Sequence, residues 1–154
     1  MTAALRLVPW TEGAILASVH GAAAAQAVAL LTEHPRSFPW GCHIARVGAQ
    51  TVGIGAFKGP PDAEGTVEIA YMTLPPFEGQ GHARATIRVL VDIARSSGAA
   101  VVIAHTAPAL NPSARALAAN GFVQADAFVD PDDGPVWYWE LPLGRSLAPA
   151  ATPA

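Results

Sequence analysis

The stretch LPPFEGQGHARA, Leu74 to Ala85, decides how this chain of 154 residues is read. Before it, TVEIAYMTL (Thr66 to Leu74) is rich in β-branched residues and reads as a strand, which Pro75 and Pro76 then stop. From Gly81 onward the period changes. Ala83, Ile87, Leu90, Val91 and Ala94 recur as one apolar stripe of a helix. Gly79 and Gly81 stand at the start of that helix, where backbone N–H groups have no intrahelical partner and carry roughly half a positive charge between them. Glycines there let a ligand approach the backbone. The amides of Gly79, Gln80, Gly81, His82, Ala83 and Arg84 therefore form a candidate cradle for phosphate or pyrophosphate, with the Arg84 side chain as a charged donor. Taken alone, the pattern also fits an ordinary turn. It is not a dinucleotide fingerprint, because the third glycine of G-x-G-x-x-G falls on Arg84, and no Gly-Lys-Ser/Thr follows to make a Walker loop.

Upstream, ALRLVPW (Ala4 to Trp10) reads as a first strand, and the alanine-rich run from Thr11 to Leu31 as one interrupted helix or two short ones. TEHPRSFPWG (Thr32 to Gly41) is a proline-bearing loop, and CHIARVG with TVGIGAFKG an antiparallel hairpin. Downstream, Gly98 closes the helix, and AAVVIAH (Ala99 to His105) is a short apolar strand suited to cover on both faces. NPSARALAAN (Asn111 to Asn120) is a second helix with Asn111 as N-cap and Pro112 in its first position. FVQADAF and VWYWEL form a hairpin around the acidic VDPDDGP. The order predicts an α+β (mixed α/β) fold, with helices packed on a mostly antiparallel sheet. Residues 1–144 are expected to form a single domain, and 145–154 a disordered Ala/Pro-rich tail.

Composition narrows the class. The chain is 51% hydrophobic and carries a net charge of −3 with scattered arginines, which argues against a nucleic-acid surface. No apolar run approaches the ~18 residues that would suggest a membrane span, and the first residues lack the pattern of a secretory signal. The lone Cys42 can make neither an internal disulfide nor a multi-cysteine zinc site, which fits a reducing, cytoplasmic setting.

Two longer blocks, VEIAYMTLPPFEGQGHARATIRVLVDIA and VVIAHTAPALNPSARALAANGF, resemble the GNAT superfamily of N-acetyltransferases, most closely its ribosomal-protein N-terminal acetyltransferase branch. Glu78-Gly79-Gln80-Gly81-His82-Ala83 stands for the family's phosphate loop, with Glu78 where the family prefers Arg or Gln. His105, Thr106, Pro108, Asn111, Ser113, Leu117, Gly121 and Phe122 match the branch's second block, and the likeness spans about Leu5 to Leu143. The resemblance implies a seven-stranded, mostly antiparallel sheet splayed in the middle. It also implies acetyl-CoA as co-substrate, its pyrophosphate on the amides of 79–84, its pantetheine arm against Met72, Thr73 and Leu74, and Asn111 in contact with that arm. It implies an amine acceptor, either a small molecule or a protein N-terminus, and no metal; a homodimer is compatible with it.

Acetyl transfer to an amine requires an amine stripped of its proton, a polarised carbonyl and a stabilised thiolate. Glu68 is the candidate base. Strand alternation puts it on one face with Ala70 and Met72, and puts Val67, Ile69 and Tyr71 on the other. The bland alternative is an ion-paired strand glutamate. Ser113 is the candidate hydrogen-bond donor to the thiolate, against the reading of a first-turn serine bonding a free amide, and Tyr138 is the alternative acid. His105 is expected to make a structural hydrogen bond, and His82 to touch phosphate or lie exposed. His20, His34 and His43 lack ligand spacing, Cys42 reads as a packing residue, and Trp40, Trp137 and Trp139 read as core or cleft walls. Two competing readings are a non-catalytic acyl-CoA-binding sensor module, and an unrelated mononucleotide-binding enzyme using the same anion loop.

Overall fold

The computed structural model describes residues 4–9, 39–130 and 134–144; the helical expectation for Thr11 to Leu31, most of the loop up to Gly41 and the tail expectation lie outside them. Seven strands form one sheet in the order β1-β2-β3-β4-β5-β7-β6. They are β1 (Leu5–Pro9), β2 (Cys42–Val47), β3 (Gln50–Phe57), β4 (Thr66–Thr73), β5 (Val101–Thr106), β6 (Val123–Asp130) and β7 (Gly134–Pro142). Two α-helices are described, α1 (His82–Ser96) between β4 and β5 and α2 (Pro112–Ala119) after β5, with a 3-10 turn at Pro75–Phe77. Every strand pair is antiparallel except β4–β5. The strand edges differ from expectation by a residue or two. The β2–β3 hairpin turns at Gly48–Ala49, so Gln50 already belongs to β3. Strand β5 begins at Val101, because the Ala100 and Val101 amides are first taken by the Gly65 carbonyl.

The β4–β5 pair is short. Its register runs only over Thr66↔Val101, Val67↔Val102 and Glu68↔Ile103, although β4 continues to Thr73 and β5 to Thr106. Beyond Glu68 the strands part and leave a seam open in the middle of the sheet. On its other edge β4 stays paired with β3 through Thr73, and the Leu74 amide donates to the Val52 carbonyl at 2.8 Å. Gly53 makes that pairing possible, since a β-carbon there would collide with the Met72 carbonyl.

Helix α1 packs its predicted stripe onto the sheet: Ile87, Leu90, Val91 and Ala94 are buried, Ala83 is partly so, and Thr86 joins them. They meet Val67, Ile69 and Phe57 from one side of the seam and Val102, Ala104, Leu117 and Trp139 from the other. A single apolar cluster therefore bridges strands that share few backbone bonds. A smaller cluster, Ile54 and Leu74 with Cys42, Met72 and Phe77, lies apart from it.

His43 of β2 is 1% exposed and donates its Nε2–H to the Pro39 carbonyl at 2.7 Å. Burial lowers its pKa from the usual 6.5, and the carbonyl bond only partly opposes this. The folded chain then binds fewer protons at this site than the unfolded chain does. Stability from His43 is accordingly full above pH ~6.5 and falls as the pH drops below it. A melting-temperature series from pH 8 to 5 is expected to decline on the acid side, and more shallowly in His43→Gln.

Candidate functional site

Helix α1 begins without a side-chain cap. Its N-cap is Gly81, held left-handed at φ 84°, and Gly79 is left-handed too at φ 77°. The first α1 amide returned to the backbone is that of Ala85, which donates to the Gly81 carbonyl at 3.1 Å. Positive φ is why glycine is needed at both positions. No protein atom lies within 4 Å of where a β-carbon would stand on either, so the loop backbone faces open space. Below the loop is a cleft of about 540 Å³. One wall is Tyr71, Met72 and Thr73 of the unpaired stretch of β4; the other is Pro112, Ser113, Arg115 and Ala116 of α2; Gly79, Gly81, His82, Ala83 and Arg84 line its mouth. Uncapped amides at a helix start, glycines without side chains and a narrow slot below them suit a ligand with a phosphate head and an extended arm.

A second groove of about 530 Å³ runs alongside, between α1 and α2, lined by Arg84, Arg88 and Arg95 with Asp92 as its acidic member. Asp92 pairs with Arg95 at 3.7 Å, and Arg84 and Arg88 have no carboxylate partner among the described residues. Arg84 and Arg88, in the first two turns of α1, thus lie nearest the glycine loop, and Arg95 lies at the far end of the groove. Glu78 is exposed at the cleft rim.

On the opposite face of the sheet, Glu68 occupies the last paired position of β4, where the seam opens. Its Oε2 lies 3.1 Å from Lys58 Nζ and 3.0 Å from His105 Nδ1. The Glu68 and His105 side chains are 23% and 25% exposed, so the cluster is screened yet reachable. Tyr138 lies opposite His105 across the β5–β7 ladder, its ring 5.6 Å away. Glu68 is thus both ion-paired and placed at the seam, and His105 makes the expected hydrogen bond with Glu68 as its partner.

The remaining candidates separate. Ser113 does not bond a helix amide; its hydroxyl meets the Tyr71 hydroxyl at 2.8 Å. The N-cap belongs to Asn111, whose Oδ1 accepts from the Ala114 amide at 2.8 Å, and Asn111 is not among the cleft-lining residues. Leu74 is buried with Ile54, and its amide already serves the sheet, so only Met72 and Thr73 of that trio face the cleft. Gln80 is exposed beside the loop, and Tyr138 lies on the Glu68 face rather than in the cleft wall. Trp139 is buried and donates to Thr106 Oγ1 at 2.9 Å, Trp137 packs beside it, and Trp40 meets Phe57 edge-on at 5.0 Å. Sequence reasoning passed over Lys58, which no motif marks, Arg115, two residues after Ser113, and Tyr71, which alternation had set only on the face of β4 opposite Glu68.

Burial pushes the Cys42 thiol up to about 12. It is a packing thiol and no nucleophile. Its alkylation at neutral pH is expected to be at least ~100-fold slower than that of an exposed cysteine, because only the thiolate reacts. Timed iodoacetamide labelling of the folded protein measures this.

Among the described residues no helix is long and apolar enough to cross a membrane, and no group of three His, Cys, Asp or Glu is placed to hold a metal. The acetyltransferase (GNAT) family profile matches residues 13–122. The fold is similar to that of a Salmonella typhimurium protein assigned as an acetyltransferase and solved with its cofactor acetyl-CoA. Identity is 21% and the TM-score 0.68, over 97% of this chain and 99% of that one. A spermidine N-acetyltransferase chimera from Vibrio cholerae and hSSAT matches with 15% identity and a TM-score of 0.72, over 92% and 96% of the two chains. The ribosomal-protein-S5-alanine acetyltransferase of Vibrio fischeri matches with 15% identity and a TM-score of 0.62, over 68% and 62%. At these identities the likeness speaks for the fold. No curated protein sequence matches the chain significantly.

Proposed function

This chain belongs to the acetyltransferase (GNAT) family, and on that premise we propose that it transfers an acetyl group from acetyl-CoA to a primary amine, with both substrates bound together. The observation that carries this reading is the open β4–β5 seam leading to an uncapped, glycine-flanked helix start. The residues fit the coenzyme. The amides from Gly79 to Arg84 hold the pyrophosphate, with Arg84 and Arg88 offsetting the charge of Glu78. The β4 edge at Met72 and Thr73 pairs with the amide-bearing arm as a strand would, and a backbone N–H there polarises the carbonyl. When bound, acetyl-CoA supplies an activated thioester and a thiol leaving group.

The chain's own residues do the rest. Glu68, with His105 against its Oε2, takes the proton that the incoming ammonium must lose, directly or through water, and Lys58 holds the carboxylate in place. Ser113 donates a hydrogen bond to the sulfur as it gains charge. The block from His105 to Phe122 resembles the ribosomal-protein branch, so peptides with free N-termini are the first acceptors to assay, ahead of small amines. Residues 1–144 act in this reading as one catalytic domain.

Parallel isothermal titrations with acetyl-CoA, desulfo-CoA and ADP test it. Both coenzyme forms are expected to bind far more tightly than ADP, because the cleft reads the arm as well as the phosphates. Equal binding of ADP, or no binding of coenzyme, would falsify the assignment.

A further inference from the structure

We propose that Tyr71 is a positioning residue that aims the Ser113 hydroxyl at the sulfur of coenzyme A, an inference that rests on the acetyl-CoA reading above. The Tyr71 and Ser113 hydroxyls are 2.8 Å apart, and the Tyr71 oxygen is 3.4 Å from the Ser113 carbonyl, a much weaker contact. Both residues line the 540 Å³ cleft. Tyr71 is the lining residue of β4 nearest to the point where β4 leaves β5, three residues past Glu68 and so roughly 10 Å along the strand. Of the β4 lining residues it is the one farthest along the chain from the phosphate amides and closest to the candidate base.

Either hydroxyl can donate across the 2.8 Å contact, and the role proposed for Ser113 requires Tyr71 to be the donor. Burial raises the Tyr71 pKa, so the phenol holds a proton it can donate. A phenol donating to Ser113 Oγ occupies one serine lone pair and leaves the serine's own O–H free to point elsewhere. Ser113 itself lines the cleft. A serine hydroxyl that would otherwise rotate among three wells is thereby held in one.

The two faces of the sheet complete the geometry. Glu68 lies on one face of β4 and Tyr71 on the other, and β4 parts from β5 between them. A thioester threaded into the seam meets the base from one side and the Tyr71–Ser113 pair from the other. In the reaction the N–C bond forms and the C–S bond breaks with its electron pair passing to sulfur. The ammonium gives one proton to the Glu68–His105 pair before attack, the nitrogen loses its second proton to water as the adduct collapses to the amide, and the Ser113 hydroxyl stabilises the charge on sulfur without giving up its proton.

The test reads the bound thiol and needs no turnover. The pKa of the coenzyme A thiol is titrated by thiolate absorbance in complexes with wild type, Tyr71→Phe, Ser113→Ala and the double variant, while desulfo-CoA affinity is measured in each. Wild type is expected to hold the thiol below its free value. Tyr71→Phe is expected to raise it by about one unit, a tenfold change in ionisation ratio. Ser113→Ala should raise it at least as far, and the double variant no further, because the two hydroxyls act as one unit. Desulfo-CoA affinity should stay within about twofold throughout, which shows that each variant is folded and its cleft intact. A thiol pKa unmoved by Tyr71→Phe overturns the proposal. So does a loss of desulfo-CoA affinity that matches the loss for coenzyme A, since Tyr71 would then shape the cleft only. Wild type that binds both coenzymes without shifting the thiol overturns this inference alone; wild type that binds neither overturns it together with the acetyl-CoA reading.

Discussion

Gly81→Glu is expected to weaken acetyl-CoA binding by at least ~100-fold, about 2.7 kcal/mol, while leaving the chain folded. Two effects add. Gly81 is left-handed at φ 84°, and any side chain there costs about 1–2 kcal/mol of backbone strain. The new carboxylate also projects into the open space before α1, where it can accept from the same amides that would receive the pyrophosphate. An acidic group at a helix start does not harm the helix itself. The melting temperature should therefore fall only by the strain, and titration with acetyl-CoA should show the larger loss. Gly81→Ala separates the two effects: it carries the strain without the charge, so it should lose little affinity. Unchanged binding in Gly81→Glu would place the phosphates somewhere other than on this loop.

Glu68→Gln is expected to lower turnover by about 100-fold or more, the lower end of what a general base contributes. Acetyl-CoA affinity should hold, because Glu68 lies on the face of β4 away from the cleft wall. Glutamine keeps the shape and a hydrogen bond to His105 but cannot take a proton. Lys58→Met provides the control. If Glu68 only anchors the Lys58 ion pair, the two variants will look alike in both kcat and melting temperature.

How much of this was written legibly in the chain differs from element to element. The β4–loop–α1 unit was readable because each part carries a strong local signal: alternation, two prolines, two glycines, then a helical stripe. The N-cap at Asn111 was readable for the same reason, since capping is a local matter of one side chain and one amide. Strand ends were less so. The start of β5 is decided by the Gly65 carbonyl, some 35 residues away in sequence, and no local pattern records that bond. The candidate site divides similarly. The loop lies within six consecutive residues and was visible. The Glu68 cluster draws on Lys58 and His105, and the Ser113 bond draws on Tyr71, 42 residues earlier. Such pairs exist only once the sheet has set its register. The resemblance also pointed to Asn111 and Leu74 as coenzyme contacts; in the structure the Asn111 side-chain oxygen caps α2 and the Leu74 amide makes a ladder bond, neither of which the sequence marks as a coenzyme contact.

The break in the sheet divides more than strands. Among the described residues, β1 to β4 with α1 come from one continuous stretch of chain and β5 to β7 with α2 from the next, and the backbone joins the two halves only at three paired positions and at the adjoining Gly65 carbonyl. Their cohesion rests on side chains packed under α1 rather than on hydrogen bonds. An amide-bearing arm laid in the break would be a temporary eighth strand, adding rungs where the polypeptide supplies none. The resistance of this fold to being pulled or shaken apart would then rise and fall with the coenzyme supply, so that a chain starved of its donor is also the chain most easily taken to pieces.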